Sequence, residues 1–290
     1  MKIQGSYVAL ITPFHADGSV NFEKIRELVD WHVEQGTDGI VALGTTGEAS
    51  TTSHEEDKAI AQCIIEQANG RIPVICNAGS NSTQTQMEKA ERYHKLGADG
   101  LMLISPYYNK ANEEGMYRHF MTVADAFDTP IVLYNVPGRT GCSISVSCCE
   151  RLAKHPNIAA IKEASGNISY TAKIAKLVGD GFSLLSGNDD MIVPVMSLGG
   201  SGVISVFANI CPKECHELVA AYASGDVRKA CEMQLKYLDL INALFCEVNP
   251  IPVKEAMNQL GMGVGGYRLP LCEISEGGRE TVRRALEVLR

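Results

Sequence analysis

Few stretches of this 290-residue chain place reactive side chains where solvent would not reach them. Ile158-Ala159-Ala160-Ile161-Lys162-Glu163-Ala164-Ser165 is one: four apolar residues run straight into a lysine. Burial disfavours an ammonium and lowers its pKa. A neutral amine is the nucleophile that Schiff-base chemistry on a carbonyl needs. The same strand end is equally compatible with a lysine that snorkels its charge back to water. Lys24, Lys89, Lys95, Lys173 and Lys229, in polar helix-like surroundings, read as surface charges.

The elements that must position Lys162 alternate along the chain. Apolar runs expected as strands cover 7–14, 39–43, 73–77, 101–104, 131–135, 158–162, 182–187 and 202–206, each followed by a helical segment. Phe22, Ile25, Leu28, Val29 and His32 form one helical face, Ser53 with Glu56 has capping-box spacing, and Thr83 with Gln86 is expected to cap a further helix. Gly36-Thr37-Asp38-Gly39-Ile40 recurs as Gly97-Ala98-Asp99-Gly100-Leu101, each copy ending a helix with glycine and restarting a strand.

Short, nearly continuous apolar strands imply burial on both faces and hence a parallel sheet. Eight such units in roughly 225 residues fit an α/β fold of the (β/α)8 TIM-barrel type. A doubly wound open sheet is the alternative, but no G-x-G-x-x-G follows the first strand. The expected division is a catalytic barrel over 1–224 and a C-terminal helical extension over 225–290. The latter would hold one long helix over 226–248, broken by Pro250 and Pro252, then helices over 253–260 and 279–289.

Barrel enzymes build their sites at the carboxyl ends of the strands. There stand Thr45 and Thr46 between glycines, Tyr107 and Tyr108, Tyr134 and Arg139, Lys162, Gly187-Asn188-Asp189, and Ile204-Ser205. A phenol such as Tyr134 suits the proton transfers of imine and enamine formation. The Thr45-Thr46 turn suits a small carboxylate, and Arg139 could hold a second one bidentately. Each also has a plainer reading, as a strand-to-helix turn or a packing aromatic.

A formal charge of −8 and the lack of a basic stripe argue against nucleic acid. No run approaches the roughly 18 apolar residues of a membrane span. The ten cysteines form no C-x-x-C pair and the seven histidines lack zinc-site spacing, so neither a metal nor another cofactor is expected. Without a signal-peptide-like run, the cytoplasm is the expected compartment, with the cysteines reduced.

Gly44-Thr45-Thr46-Gly47-Glu48, Tyr134-Asn135-Val136-Pro137-Gly138-Arg139-Thr140 and Ile161-Lys162-Glu163-Ala164-Ser165 together resemble the pyruvate-dependent class I aldolase superfamily and, within it, the dihydrodipicolinate synthase family. The resemblance spans essentially the whole chain; Pro-Gly-Arg-Thr is what points to that family. It implies a lyase of lysine and diaminopimelate biosynthesis. Lys162 would form a Schiff base with pyruvate, and Tyr134 would donate and accept protons. Thr45 would relay protons between Tyr134 and a Tyr108 supplied by another subunit. Thr46, Ile204 and Gly187 would line the pyruvate pocket, and Arg139 would receive the carboxylate of L-aspartate 4-semialdehyde. A homotetramer built from tight dimers is implied as well.

Alternatives are an N-acetylneuraminate lyase or 2-keto-3-deoxy sugar acid aldolase, against which Arg139 speaks, and a non-catalytic small-molecule-binding regulator. The family's lysine effector site would match His54, Asn81 and Tyr107. Here Asp57, Thr85 and Ala49 depart from the lysine-sensitive pattern, so weak or no feedback by lysine is expected.

Overall fold

A computed structural model describes residues 2–290. Eight strands, β1 (Gly5–Ala9), β2 (Gly39–Ala42), β3 (Val74–Asn77), β4 (Gly100–Ile104), β5 (Ile131–Asn135), β6 (Ile158–Glu163), β7 (Ser183–Ser186) and β8 (Gly202–Ser205), follow sequence order round a closed barrel, with helices interleaved. All the described pairings between these strands are parallel. The eight apolar runs thus become the eight strands with shifted ends: most are shorter, while β1 starts earlier at Gly5, β4 at Gly100, and β6 runs on to Glu163. Nearly every strand residue is buried, as a sheet covered on both faces requires. Expected residues 10–14 do not continue β1, and Leu43 leaves β2 with φ +58°.

Local chemistry sets most helix starts. Ser53 and Glu56 close the expected capping box in both directions, at 3.2 and 2.9 Å. At helix Thr83–Lys95 the cap is Ser82 rather than Thr83. The Thr83 hydroxyl pairs instead with Nδ1 of His119 at 2.8 Å, so a tertiary partner displaces the cap by one position. Lys89 is buried, contrary to its reading as a surface charge.

The single helix expected over 226–248 is two, Val227–Lys236 and Leu238–Ala243, parted at Tyr237. That residue is buried with its ring centroid 5.4 Å from that of Phe207. The last helices are Ile251–Gln259 and Glu276–Ala285, the latter running into a 3-10 turn, Leu286–Leu289.

Compactness does not divide the described chain at residue 224. One unit joins residues up to Gly5 with Pro73–Ile204; the other joins Ser6–Ile72 with Ser205–Arg290. Within the second unit the C-terminal segment grips the N-terminal one. The Arg268 guanidinium donates to the Gly18 and Thr51 carbonyls and, at 2.9 and 2.6 Å, to both oxygens of Glu56. Arg268 holds the Glu56 carboxyl down at about 2. Among the described residues no helix is long and apolar enough to cross a membrane.

Candidate active site

Register decides which side chains meet at the end of β6. Tyr134 of β5 is paired with Lys162, and Asn135 with Glu163. Because strand side chains alternate, each pair shares a face and the two pairs point to opposite faces. On one face the Lys162 ammonium lies 4.4 Å from the Tyr134 ring centroid. On the other, the Asn135 amide donates to Glu163 at 2.7 Å, and Glu163 also accepts from the Ser165 N–H at 2.7 Å. Backbone bonds from Ala164 to Asn135 and from Gly187 to Glu163 pin the strand end on both flanks.

Lys162 is only 6% exposed, as is Tyr134. Burial pushes the amine down to about 8; the charge of Arg139 adds to the depression and Asp189 opposes it. Glycine is required at 187. A Cβ there would stand 2.6 Å from the Ala164 Cβ and 3.1 Å from the Lys162 Cε, so any larger residue would push on the lysine. Arg139 rides on the short helix Pro137–Thr140 that directly follows β5 and is exposed. Ile204 is fully buried in β8.

The Thr45-Thr46 turn after β2 is built in the other unit. Its flanks Leu43 and Glu48 both adopt positive φ, +58° and +55°, conformations costly for non-glycine residues and sustained only where the surroundings enforce them. Gly47 and Glu48 N–H groups close the turn onto the Gly44 and Thr45 carbonyls, and Thr12 donates to the Gly47 carbonyl at 2.6 Å. Asn249 donates to the Thr46 hydroxyl at 3.0 Å. Lys254, fully buried, donates to Glu48 at 2.8 Å, to the Thr12 carbonyl at 3.0 Å and to the Gly266 carbonyl.

Tyr108 stands apart from these groups. It is 92% exposed and has φ +69°, in the loop after β4. Lys162, Tyr134, Arg139 and Gly187 are thus brought together in one unit, and Thr45 with Thr46 is held in the other. Sequence reasoning passed over Asp189 as a charge acting on Lys162, took Glu48 only as part of the motif Gly44-Thr45-Thr46-Gly47-Glu48, and passed over Asn249 and Lys254 entirely. For Lys254 a signal existed: it follows Ile251-Pro252-Val253, the same apolar-run-into-lysine pattern that marked Lys162.

Lys162 and Lys254, both buried, differ in their partners. Lys254 is lowered by burial too, but a carboxylate and two carbonyls satisfy its ammonium. For Lys162, among the described residues, no carboxylate or carbonyl accepts from the ammonium; burial lowers it, with the charge of Asp189 opposing and that of Arg139 adding. The first arrangement suits a permanent charge, the second an amine that gives up its proton.

Comparison with known proteins gives one answer. The chain matches the family model described as the dihydrodipicolinate synthetase family over residues 2–289. It is 49% identical to the 4-hydroxy-tetrahydrodipicolinate synthase of Clostridium novyi over 284 residues, 98% of this chain and 96% of that one. The chloride-inhibited dihydrodipicolinate synthase from Acinetobacter baumannii, solved in complex with pyruvate, superposes with a TM-score of 0.96 at 44% identity, covering 99% of both chains. A structure described as the first monomeric dihydrodipicolinate synthase variant has the same TM-score at 39% identity, covering 99% of this chain and 96% of its own.

Proposed function

The chain belongs to the dihydrodipicolinate synthetase family, and from its side chains we infer how it carries out the family's reaction. The enzyme condenses pyruvate with L-aspartate 4-semialdehyde through a lysine Schiff base, as a 4-hydroxy-tetrahydrodipicolinate synthase does in lysine and diaminopimelate biosynthesis. The observation that carries the assignment of roles is the environment of Lys162: buried, flanked by a phenol, and depressed to about 8 with Arg139 contributing.

In this reading the neutral Lys162 amine attacks C2 of pyruvate, and the carbinolamine loses water to give an imine. Loss of a C3 proton gives the enamine, whose carbon attacks the aldehyde of the second substrate. The amine of that substrate then attacks C2 in turn and releases Lys162. Tyr134, beside Lys162, moves the protons of dehydration and enamine formation, with Thr45 linking it to a Tyr108 supplied by a neighbouring copy. Thr46, Ile204 and Gly187 bind pyruvate, and Arg139 receives the carboxylate of L-aspartate 4-semialdehyde. The side chains need no cofactor for these steps.

Tyr108, at 92% exposure, is the group that a neighbouring copy would cover. With Leu269 and Leu235 also largely exposed, we read the working form as a homotetramer of tight dimers, the tail 225–290 extending the catalytic barrel 1–224. Among the described residues no cysteine is joined in a disulfide, which suits a reducing compartment, the cytoplasm.

A coupled assay separates this assignment from a sugar-acid aldolase: turnover of pyruvate with L-aspartate 4-semialdehyde is expected, and cleavage of N-acetylneuraminate would overturn it. Two further results are expected. With the amine near 8, roughly a tenth of Lys162 is neutral at pH 7. Because only the neutral amine attacks, the rate of adduct formation with pyruvate should rise about tenfold per pH unit up to about pH 8 and level off above it, as measured by rapid-quench borohydride trapping. Lysine should inhibit weakly or not at all, since Asp57, which departs from the lysine-sensitive pattern, is buried and accepts from Thr52 at 2.6 Å. Half-inhibition below about 1 mM in a steady-state assay, within the ordinary range of small-ligand affinities, would contradict this.

A further inference from the structure

Thr46 can serve a carboxylate only if its hydroxyl hydrogen is directed at it. A hydroxyl has one hydrogen to give and lone pairs to receive. Here Oγ1 of the buried Thr46 receives the Asn249 amide at 3.0 Å. Among the described residues no acceptor takes the hydrogen of Thr46 itself. With a lone pair occupied by Asn249, that hydrogen is left to point away from the amide.

Asn249 is well placed to enforce this. It is buried and 203 positions from Thr46 in sequence. It precedes the helix Ile251–Gln259, which also carries Lys254. Lys254 ties that helix to the same turn through Glu48 and the Thr12 carbonyl, and Thr12 in turn holds the Gly47 carbonyl. The amide therefore meets the hydroxyl from a support fixed to the turn at a second point.

We propose that Asn249 is a positioning residue for pyruvate recognition: its amide donates to Thr46 and so commits the Thr46 hydroxyl to donate to the substrate carboxylate. The proposal rests on Thr46 as a pyruvate contact. Asn249 touches no reacting atom and acts only through Thr46.

A double-mutant cycle on the full-length enzyme tests it, with the pyruvate concentration dependence of borohydride trapping, the KM for each substrate, and Tm as measurements. Asn249→Ala is expected to weaken pyruvate about tenfold, the range for a hydrogen bond to a charged group, with the KM for L-aspartate 4-semialdehyde unchanged. Asn249→Asp, which keeps the shape but accepts instead of donating, is expected to weaken pyruvate at least as much. It does so by drawing the Thr46 hydrogen to itself, and its near-identical volume guards against a folding failure. In a Thr46→Val background, Asn249→Ala should cost nothing further.

Additive losses in the two backgrounds, or wild-type pyruvate affinity in Asn249→Asp, overturn the positioning role while leaving Thr46 as a contact. Unchanged pyruvate affinity in Thr46→Val overturns both. A fall in Tm with unaltered affinity assigns Asn249 to the fold alone and also overturns the proposal.

Discussion

Lys162→Met should abolish the reaction: turnover falls by roughly 10⁴-fold or more, as for removal of a covalent nucleophile, and borohydride with pyruvate leaves no mass adduct. The side chain removed is the buried amine beside Tyr134, depressed to about 8. Lys254, fully buried, is not poised to replace it, since its ammonium is held by Glu48 and two carbonyls. Methionine is close in length and apolar, so the fold should persist, and Tm is expected to hold or rise because a desolvated amine has gone. Peptide mapping of the wild-type adduct supplies the decisive observation. An adduct on any lysine other than Lys162, or one that survives in Lys162→Met, would end the Schiff-base assignment.

The second large effect falls on stability rather than on chemistry. Lys254→Met leaves the Glu48 carboxylate buried without its cation, and breaking a buried pair from one side costs about 3–5 kcal/mol. For a chain of this size that is a fall in Tm of about 6–10 °C. Glu48→Met alone strands the ammonium in the same way. The double variant Lys254→Met/Glu48→Met should recover much of the loss, because replacing both members of a buried pair with apolar groups is often near neutral. If each single variant stays within about 0.5 kcal/mol of wild type, the range of ordinary surface substitutions, the pair is not holding the fold. Recovery of stability need not restore activity. Glu48 carries a positive φ and flanks Thr45-Thr46, so the double variant should keep a compact fold while binding pyruvate less well.

The two results concern one contrast: a buried lysine that sheds its proton and one that keeps it. Sequence alone could not draw that contrast. Both follow apolar residues, and the difference lies in what surrounds the ammonium after folding.

What the amino-acid order determined by itself is what nearest neighbours decide. Alternating apolar runs and helical faces, with glycines restarting each unit, specified eight parallel strands and their helices, because burial on two faces leaves its mark in every strand separately. The Ser53–Glu56 cap lies within a span of three residues and was legible for that reason. The strand-end residues Lys162, Tyr134, Arg139 and the Thr45-Thr46 turn were legible too, since a barrel places its chemistry at the carboxyl ends.

Only the tertiary structure decided the rest. Whether Tyr134 shares a face with Lys162 depends on the register of β5 against β6, and a slip of one residue would have sent it to the opposite side. The cap at Ser82, and the break at Tyr237 where Phe207 takes its ring, were set by partners distant in sequence. The turn that carries Thr46 is held by Asn249 and Lys254, more than 200 positions away. No local pattern encodes such partners, because the free energy of a buried hydrogen bond or ion pair depends on both members arriving in one desolvated place.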